Sequence, residues 1–582
     1  MLPPLIKRLV PVTDWLPRYQ RSWLADDLVA GIVVLFITVP QAIAYAFLAG
    51  LPPQAGLYSV VFALVCYGAF GSSRALSVGP AAIISMMTLE AVSSLATPGT
   101  TEYAAIAMKL AFITGGVLLL LRIINFGAVI SFLSHAVVSG FITAAATLIM
   151  FNQIPTLLGL PAADGTSLAA VTTHTVAVAN EINLLSLGLA FIGIFILLMC
   201  RSPLTRFLQA RGVSEAWVGA LTRSAPMYVV ILSVIYISLA EQGNALPIVG
   251  AIPAGFPEWQ ALSFGLEEVR QLLPSALLIA MVVFMESTSI GTAVAVKRRE
   301  KIEPNQELIG LGFANIGAAL GGGFPVAGSF ARTIVNFSAG AATQLAGFVT
   351  AGLVLVTLIG FGWFFYYLPK SILAVIIVLS AWQLIDWHGI RKTFAFNVAD
   401  GVTFGFTFIA VLLLGVESGI LIGVGISFVL LIRSSSKPHI AVVGRWQGSE
   451  HFRNVMRHDV ETLPNVLALR IDESFYFVNS RYIETHVLNQ VTGSPELEHV
   501  LLICTATNFI DSSGLEMLEM LSDSLDELGV TLHLAEVKGP VMDKLKETEF
   551  YSRMHGEVFF TTDIAMRTLA GSNESNEAPA SI

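Results

Sequence analysis

Charge is scarce in this sequence. Only 13% of its 582 residues are Asp, Glu, Lys or Arg, where soluble domains carry about 25%. That argues for a membrane protein and against a chain that is soluble throughout. Leu28 to Ser73 holds no charged residue, and neither does Ile123 to Ala163. A bilayer span takes about 20 apolar residues, so each run has room for two. Cysteine is scarcer still. Cys66, Cys200 and Cys504 have neither disulfide nor metal-ligand spacing, so no metal site is expected. No nucleophile–base pair, metal cluster or nucleotide loop stands out, so neither an enzyme nor a cofactor is expected. The glycines of "GFANIGAALGGG" lie in apolar sequence and do not read as a phosphate loop. No cleavable signal peptide is expected either: the stretch before the first apolar run is basic and aromatic, and that run is too long for a signal core. The net charge of −9 lies largely in the last quarter of the chain. It points to no particular partner, and no nucleic acid is expected.

What is present is apolar sequence: 55% of residues are hydrophobic, and the mean hydropathy is +0.74. The composition changes after Ile432, where charges begin to recur every few residues. The expected organisation is an N-terminal cytoplasmic segment (1–25), a membrane domain (26–435), a linker (436–454) in the polar region that opens with "RSSSKPH", a soluble domain (455–570) and a disordered tail (571–582). Apolar segments begin near residues 28, 54, 76, 105, 127, 183, 223, 270, 304, 328, 342, 370, 398 and 416. Positive loops stay cytoplasmic. Lys7, Arg8, Arg18 and Arg21 precede the first segment. Arg201, Arg206 and Arg211 follow the sixth, and Lys297, Arg298, Arg299 and Lys301 the eighth. Arg391 and Lys392 follow the twelfth, and Arg433 and Lys437 the last. Each group falls after an even number of segments. The loops 153–182 and 241–268 hold no Lys or Arg. About fourteen spans with both ends inside the cell satisfy this pattern.

The C-terminal part alternates strand-like and helix-like patterns. "VLALRI", "HVLLIC" and "VTLHLAEV" read as strands. Leu515, Leu518, Leu521, Leu525 and Leu528 share one face of a helix, and "PVMDKLKET" reads as another helix. The expectation is a small α/β sandwich.

Four membrane segments look broken or capped. "TVPQAIAYAFLAGLPP" carries Pro40 deep in the first span, and Gly79-Pro80 opens the third. "FMESTSIG" interrupts the eighth, and "GGGFPVAGSFARTIVN" opens the tenth. Broken backbone survives in a bilayer only where it lines a protected cavity. The interruptions fall at equal positions in two sets of seven spans. Seven is odd, so the second set is inverted: a 7+7 inverted repeat with a site between half-helices. Helix N-termini carry roughly +0.5 charge each, and Arg332 is the only charged residue between Glu307 and Lys370. Two N-termini plus Arg332 give roughly +2, which matches a divalent oxyanion. Gly79, Gly328, Ala81, Ala82 and Ala331 leave room for an anion near the backbone. Gln41 and Tyr45 are one turn apart and share a face. Glu286 stands alone in its apolar run. Ionised, it would repel the anion; protonated, it would not, so proton and anion favour each other's binding. The competing reading is structural: Arg332 pairs with Glu286 or with carbonyls and holds two helices together.

These residues resemble the sulfate permease (SulP) family of anion transporters. The resemblance rests on "VPQAIAYAFLAGLPPQAGLYS", "GSSRALSVGPAAIIS", "ESTSIG" and "GGGFPVAGSFARTIVNFSAGA", and it covers most of the chain. "NFIDSSGLEML" resembles the core of a STAS domain. The resemblance implies core and gate domains moving as an elevator, and a homodimer arranged partly through cytoplasmic STAS domains. It places Gln41, Tyr45, Ala81, Ala331 and Arg332 at the substrate, and Glu286 at the cation-coupling position; Ala82, Gly328 and Ser329 beside them complete the expected substrate site. Many relatives have serine where this chain has Ala331. Sodium-coupled relatives have an oxygen ligand where this chain has Ile290, so protons are the expected coupling ion. Ser513 matches the serine that is phosphorylated in stand-alone STAS proteins; the plainer reading is that "DSSG" caps the helix that follows. The expected function is proton-coupled sulfate import across a bacterial-type inner membrane. Bicarbonate and C4-dicarboxylates are the rival substrates. An anion channel or exchanger, or an anion sensor acting through a STAS-binding regulator, is the rival of another class.

Overall fold

In the computed structural model of the protein, residues 9–571 are described, apart from 126–133, 164, 166, 202, 214–217, 219, 220, 223, 254 and 256–261. Lys7, Arg8, the start of the fifth span and the tail after 571 lie outside the described residues. The chain divides into two compact units, Met1–Gly425 and Ile426–Ile582.

The first unit is helical. Its principal helices are α1 (Trp23–Leu48), α2 (Pro53–Phe70), α3 (Ala82–Ser93), α4 (Thr101–Ile123), α5 (His135–Asn152), α6 (Leu184–Arg201) and α7 (Ala225–Leu239). They are followed by α8 (Leu266–Arg298), α9 (Pro304–Leu320), α10 (Phe330–Ser338), α11 (Leu345–Gly360), α12 (Lys370–Trp382) and α13 (Val398–Leu414), and then by α14 (Val416–Ser436), within which the first unit ends. Among the described residues, eight helices are long and apolar enough to cross a membrane. The others are shorter, α3 and α10 most tellingly. Their 12 and 9 residues rise only about 18 and 14 Å, against a hydrocarbon core of about 30 Å.

Two expected breaks are absent. Helix α1 runs unbroken through Pro40, and α8 runs unbroken through "FMESTSIG". Pro40 removes one intrahelical donor, but residues 37–46 are buried against neighbouring helices, which hold the segment straight enough to continue. The 284–290 stretch contains neither Pro nor Gly, and its Ser and Thr side chains are compatible with a helix. The real breaks come before α3 and α10. There, β1 (Val78–Gly79) pairs antiparallel with β2 (Ala327–Gly328), Val78 opposite Gly328 and Gly79 opposite Ala327. Each short strand runs into its half-helix. Antiparallel pairing therefore sends α3 and α10 off in opposite directions and leaves their N-termini together.

Packing follows the inverted repeat. Moving seven helices along the chain turns α4 on α9 into α11 on α2, and both packings occur. The same holds for α1 on α11 and α8 on α4, for α1 on α10 and α8 on α3, and for α5 on α13 and α12 on α6. Helices α1–α4 and α8–α11 form one body. Helices α5, α6, α7, α12 and α13 pack mainly among themselves and meet it chiefly through α1 and α3.

The second unit holds a seven-stranded sheet. It comprises β3 (Ile440–Trp446), β4 (Phe452–Asn454), β5 (Val460–Glu461), β6 (Val466–Ile471), β7 (His499–Ile503), β8 (Thr531–Ala535) and β9 (Val558–Phe559). Strands β6 to β9 are parallel, and β3 lies antiparallel to β6. Helices α15 (Ser480–Thr492), α16 (Ser512–Glu527), α17 (Gly539–Lys546) and α18 (Thr562–Leu569) complete it. "VLALRI", "HVLLIC" and "VTLHLAEV" supply β6, β7 and β8. Leu518, Leu521 and Leu525 are buried as the helical face requires, whereas Leu528 lies past the helix end and is exposed. The sheet begins earlier than the sequence suggests. Residues 440–454, expected as linker, form β3 and β4, because Ile440–Val442 pair with Leu469–Ile471.

Candidate functional site

The site is built around the β1–β2 pair. Ser77 N–H donates to Thr333 Oγ1 at 3.1 Å, and Ser329 N–H donates to the Ser77 carbonyl at 3.0 Å. Asn315 on α9 brackets Val326, accepting from its N–H at 2.9 Å and donating to its carbonyl at 3.1 Å. Asn336 Nδ2 donates to the Ala75 carbonyl at 3.0 Å. Each half-helix start is thus held by the other repeat.

Neither half-helix has a side-chain cap. Ala81 and Ser329 take the N-cap positions in extended conformation without a capping bond. The first N–H groups of both helices therefore have no side-chain acceptor, and an anion is the natural one. Arg332 sits in the first turn of α10 and is completely buried. None of its guanidinium nitrogens has a hydrogen-bond partner in the protein. It interacts electrostatically with Tyr45 and Glu286 but forms no ion pair with Glu286. The structural reading of Arg332 as a helix-to-helix pairing residue therefore finds no bond to support it. The guanidinium lies against Gly79: a Cβ there would stand 3.1 Å from Nη2. Gly79 thus makes room for the arginine rather than for the anion directly. Gly328 serves packing, since its Cβ would lie 2.8 Å from Leu76 Cδ1 and 3.2 Å from Ser287 Cα.

Gln41 and Tyr45 on α1 are buried on the same side of the site. Gln41 Nε2 is 3.5 Å from Ser380 Oγ on α12, and the Tyr45 hydroxyl faces the same serine. Gln41 Oε1 has no partner. Ala81 and Ala82 are buried, and Ala331 is half-buried. Glu286 on α8 has one carboxylate oxygen buried without a partner. Its neighbour Ser287 accepts from Gly328 N–H at 2.8 Å, so α8 also holds the start of α10. A cavity of about 860 Å³ separates α10 from α12 and from the start of α7. Gln41, Ala331 and Ser380 line it, and it extends to Arg201 and Gln383.

Three residues were not nominated from sequence. Ser380 carried a weak signal, as a polar residue in "VIIVLSAW". Asp27 and Glu307 are fully buried and fully bonded. Asp27 accepts from Ala342 N–H at 2.7 Å, from Thr343 N–H at 2.9 Å and from the Thr343 hydroxyl at 2.7 Å. Glu307 accepts from Tyr67 at 2.7 Å and from Ser72 N–H at 3.0 Å. These carboxylates tie loops to helices. Their saturation sets off Arg332, which has nothing.

Two family models match this chain: the sulfate permease family over residues 24–407 and the STAS domain over 457–564. The chain belongs to the sulfate permease family. Members of this family are membrane anion transporters, not enzymes, and this chain is a multi-pass member with a C-terminal STAS domain. It is 31% identical to probable sulfate transporter 4.2 of Arabidopsis thaliana, an alignment covering 95% of this chain and 82% of that one. It is 30% identical to high affinity sulfate transporter 2 of Stylosanthes hamata, covering 97% and 86%. Its fold matches the structure of SLC26A9 with a TM-score of 0.89 at 21% identity, covering 98% of this chain and 94% of that one. It also matches the transmembrane domain of a cyanobacterium bicarbonate transporter, BicA, with a TM-score of 0.59 at 20% identity, covering 70% and 98%.

In the STAS domain, Ser513 is the second residue of α16 and half-buried. Asp511 caps that helix, accepting from Gly514 N–H at 2.8 Å, and also accepts from Phe477 N–H at 3.0 Å. The capping role expected of this loop belongs to Asp511.

Proposed function

We propose that this permease imports sulfate together with protons by an elevator-type movement of its core helices. The observation that carries the reading is the buried Arg332 guanidinium, unpartnered in the protein, beside two uncapped half-helix N-termini. An unpaired buried charge costs several kcal/mol, and a bound oxyanion removes that cost. The site's charge of roughly +2 suits a divalent anion. The plant relatives named as sulfate transporters point the same way. With Ala331 in place of a serine, backbone N–H groups bear more of the contact. Gln41, Tyr45, Ala81, Ala82, Ser329, Ala331 and Arg332 form the anion site, and Gly328 contributes by holding the start of α10 against Ser287.

Glu286 is the proton site. Its partnerless oxygen has no bond that protonation would break. Ile290, one turn on, offers no oxygen to a sodium ion. Protonating Glu286 removes the negative charge nearest the anion, so each ligand raises affinity for the other.

All these residues lie on the body formed by α1–α4 and α8–α11, whose loops Asp27 and Glu307 lock. Ser380 is on the other body. Sliding the first past the second carries the whole site. Positive-inside orientation places Arg201 in the cytoplasm, with the N-terminus and the STAS domain. The cavity then opens inward. An inner-membrane homodimer with STAS-mediated regulation is part of the same proposal.

The test is uptake of radiolabelled sulfate into proteoliposomes with and without an inward proton gradient, with unlabelled bicarbonate and succinate as competitors. Gradient-driven uptake that loses its pH dependence in Glu286→Gln supports the reading. Bicarbonate or succinate moving in place of sulfate would overturn the substrate. Coupling left intact by Glu286→Gln would overturn the proton site.

A further inference from the structure

Arg298 appears in the sequence as one of a group of loop charges that orient the membrane domain. The structure gives it a specific contact. It is the last residue of α8, and its Nη2 donates to the carbonyl of Ala341, just past the end of α10. Its guanidinium carbon lies 5.2 Å from the centre of the Phe337 ring on α10. Neighbouring Lys297 is exposed.

The geometry at the end of α10 explains why a cation is held there. Gly340 takes φ +93, which turns the chain out of the helix. Ala341 N–H then bonds back to the Asn336 carbonyl at 3.1 Å. The Ala341 carbonyl is left at the negative end of a nine-residue helix, where an arginine is favoured both as a charge and as a donor. The next two N–H groups, of Ala342 and Thr343, are held by Asp27 of α1.

Helix α8 therefore grips α10 at both ends. Ser287 holds Gly328 at the start, and Arg298 holds Ala341 and Phe337 at the finish. Glu286 is the immediate neighbour of one grip, and Arg332 lies between the two. We infer that Arg298 is a positioning residue for the anion site, fixing the half-helix that carries Arg332 in register with the helix that carries Glu286. This rests on the reading of Arg332 as the anion's ligand. Arg298 itself touches no substrate. It acts by keeping α10 from rotating or sliding along α8, so that the guanidinium and the uncapped N–H groups converge on one point.

Two readouts on the purified full-length protein test this. The first is equilibrium binding of radiolabelled sulfate. Arg298→Gln is expected to weaken binding by about tenfold, the equivalent of one charge-assisted hydrogen bond. Arg298→Lys keeps a cation over Phe337 and a donor to Ala341, and is expected to bind within about threefold of wild type. Lys297→Gln removes a charge from the same helix end without touching α10 and is expected to bind like wild type. The second readout needs no anion. Amide hydrogen exchange over 330–341 should speed up in Arg298→Gln relative to exchange over α3.

Wild-type affinity in Arg298→Gln with unchanged exchange would overturn the inference. So would an equal loss in Lys297→Gln, which would make the effect one of loop charge. Arg332→Ala separates the two readings. If Arg332→Ala binds sulfate normally, the anion-site reading falls and this inference with it. If it loses binding while Arg298→Gln does not, only the positioning role falls.

Discussion

At the scale of single residues, Arg332 is defined by what surrounds it. Every other fully buried charge among the described residues is saturated: Asp27 and Glu307 each accept several hydrogen bonds, and Arg332 makes none. Gly79 supplies the room for it. Gly79→Ala would put a carbon 3.1 Å from Nη2 and push the guanidinium off its position. Sulfate affinity measured on the folded variant should fall by about tenfold or more. In the STAS domain, His533 gives a pH prediction. Burial, and then the neighbouring His499, hold its imidazole down at about 4. Its Nδ1 accepts from Glu557 N–H at 3.0 Å, and Nε2 lies 3.2 Å from His499 Nδ1. The Glu557 bond requires the neutral ring with its proton on Nε2. Unfolded, the imidazole titrates near 6.5. A depressed folded value means that the stabilisation is complete above about 6.5 and is lost as pH falls toward 4. Hydrogen exchange over 531–535 and 556–559 should accelerate across that window, and His533→Gln should flatten the dependence. Arg332 and Glu286 were legible in sequence because a lone charge stands out in an apolar run. Asp27 and Glu307 were not, because near a span end a buried carboxylate looks like a loop charge.

At the scale of elements, sequence located the half-helices well and the unbroken ones badly. Gly79-Pro80 and the glycines before Ala327 mark real breaks: Gly79 ends β1, the glycines precede β2, and the two strands complete each other across the repeats. Pro40 looked the same, yet α1 continues. Whether a proline breaks a helix depends on the neighbours packed around it, which a single sequence does not display. The linker was misjudged for a related reason: β3 becomes recognisable only through its pairing with β6. Close approach makes its own prediction here. A Cβ at Gly56 would fall 2.0 Å from the Ala42 carbonyl, so α2 lies almost on the backbone of α1. Gly56→Ala should sharply lower the yield of monodisperse protein on size-exclusion chromatography. At α16, Asp511→Ala should cost about 1 kcal/mol of STAS stability as a lost cap. Ser513→Ala should change it by less than half of that, because Ser513 is not the cap. Chemical denaturation followed by circular dichroism compares the two.

At the scale of the whole molecule, the repeat was read from the number of apolar segments and the position of the interruptions, of which those before α3 and α10 are real. The swapped packings of α4 on α9 and α2 on α11 give it physical form. Which helices pack as one body was not legible, because it depends on contacts such as those of Asp27 and Arg298. The elevator reading makes a sharp prediction about the contact of Gln41 with Ser380, which the Tyr45 hydroxyl also faces, where the two bodies meet at the site. Cysteines at 41 and 380, in a background lacking Cys66, Cys200 and Cys504, should stop sulfate uptake when bridged by a mercury ion and release it when the ion is removed. Uptake that continues while the bridge is intact would mean that α1 does not slide past α12.

The most direct test of the central claim is equilibrium binding of radiolabelled sulfate to purified wild-type protein and to Arg332→Ala. The account predicts saturable binding by the wild type and a loss of about a hundredfold or more in the variant, since the anion loses its one full counter-charge in a buried site. Equal affinities would contradict it: the anion would then be bound elsewhere, and the buried guanidinium would not be its ligand.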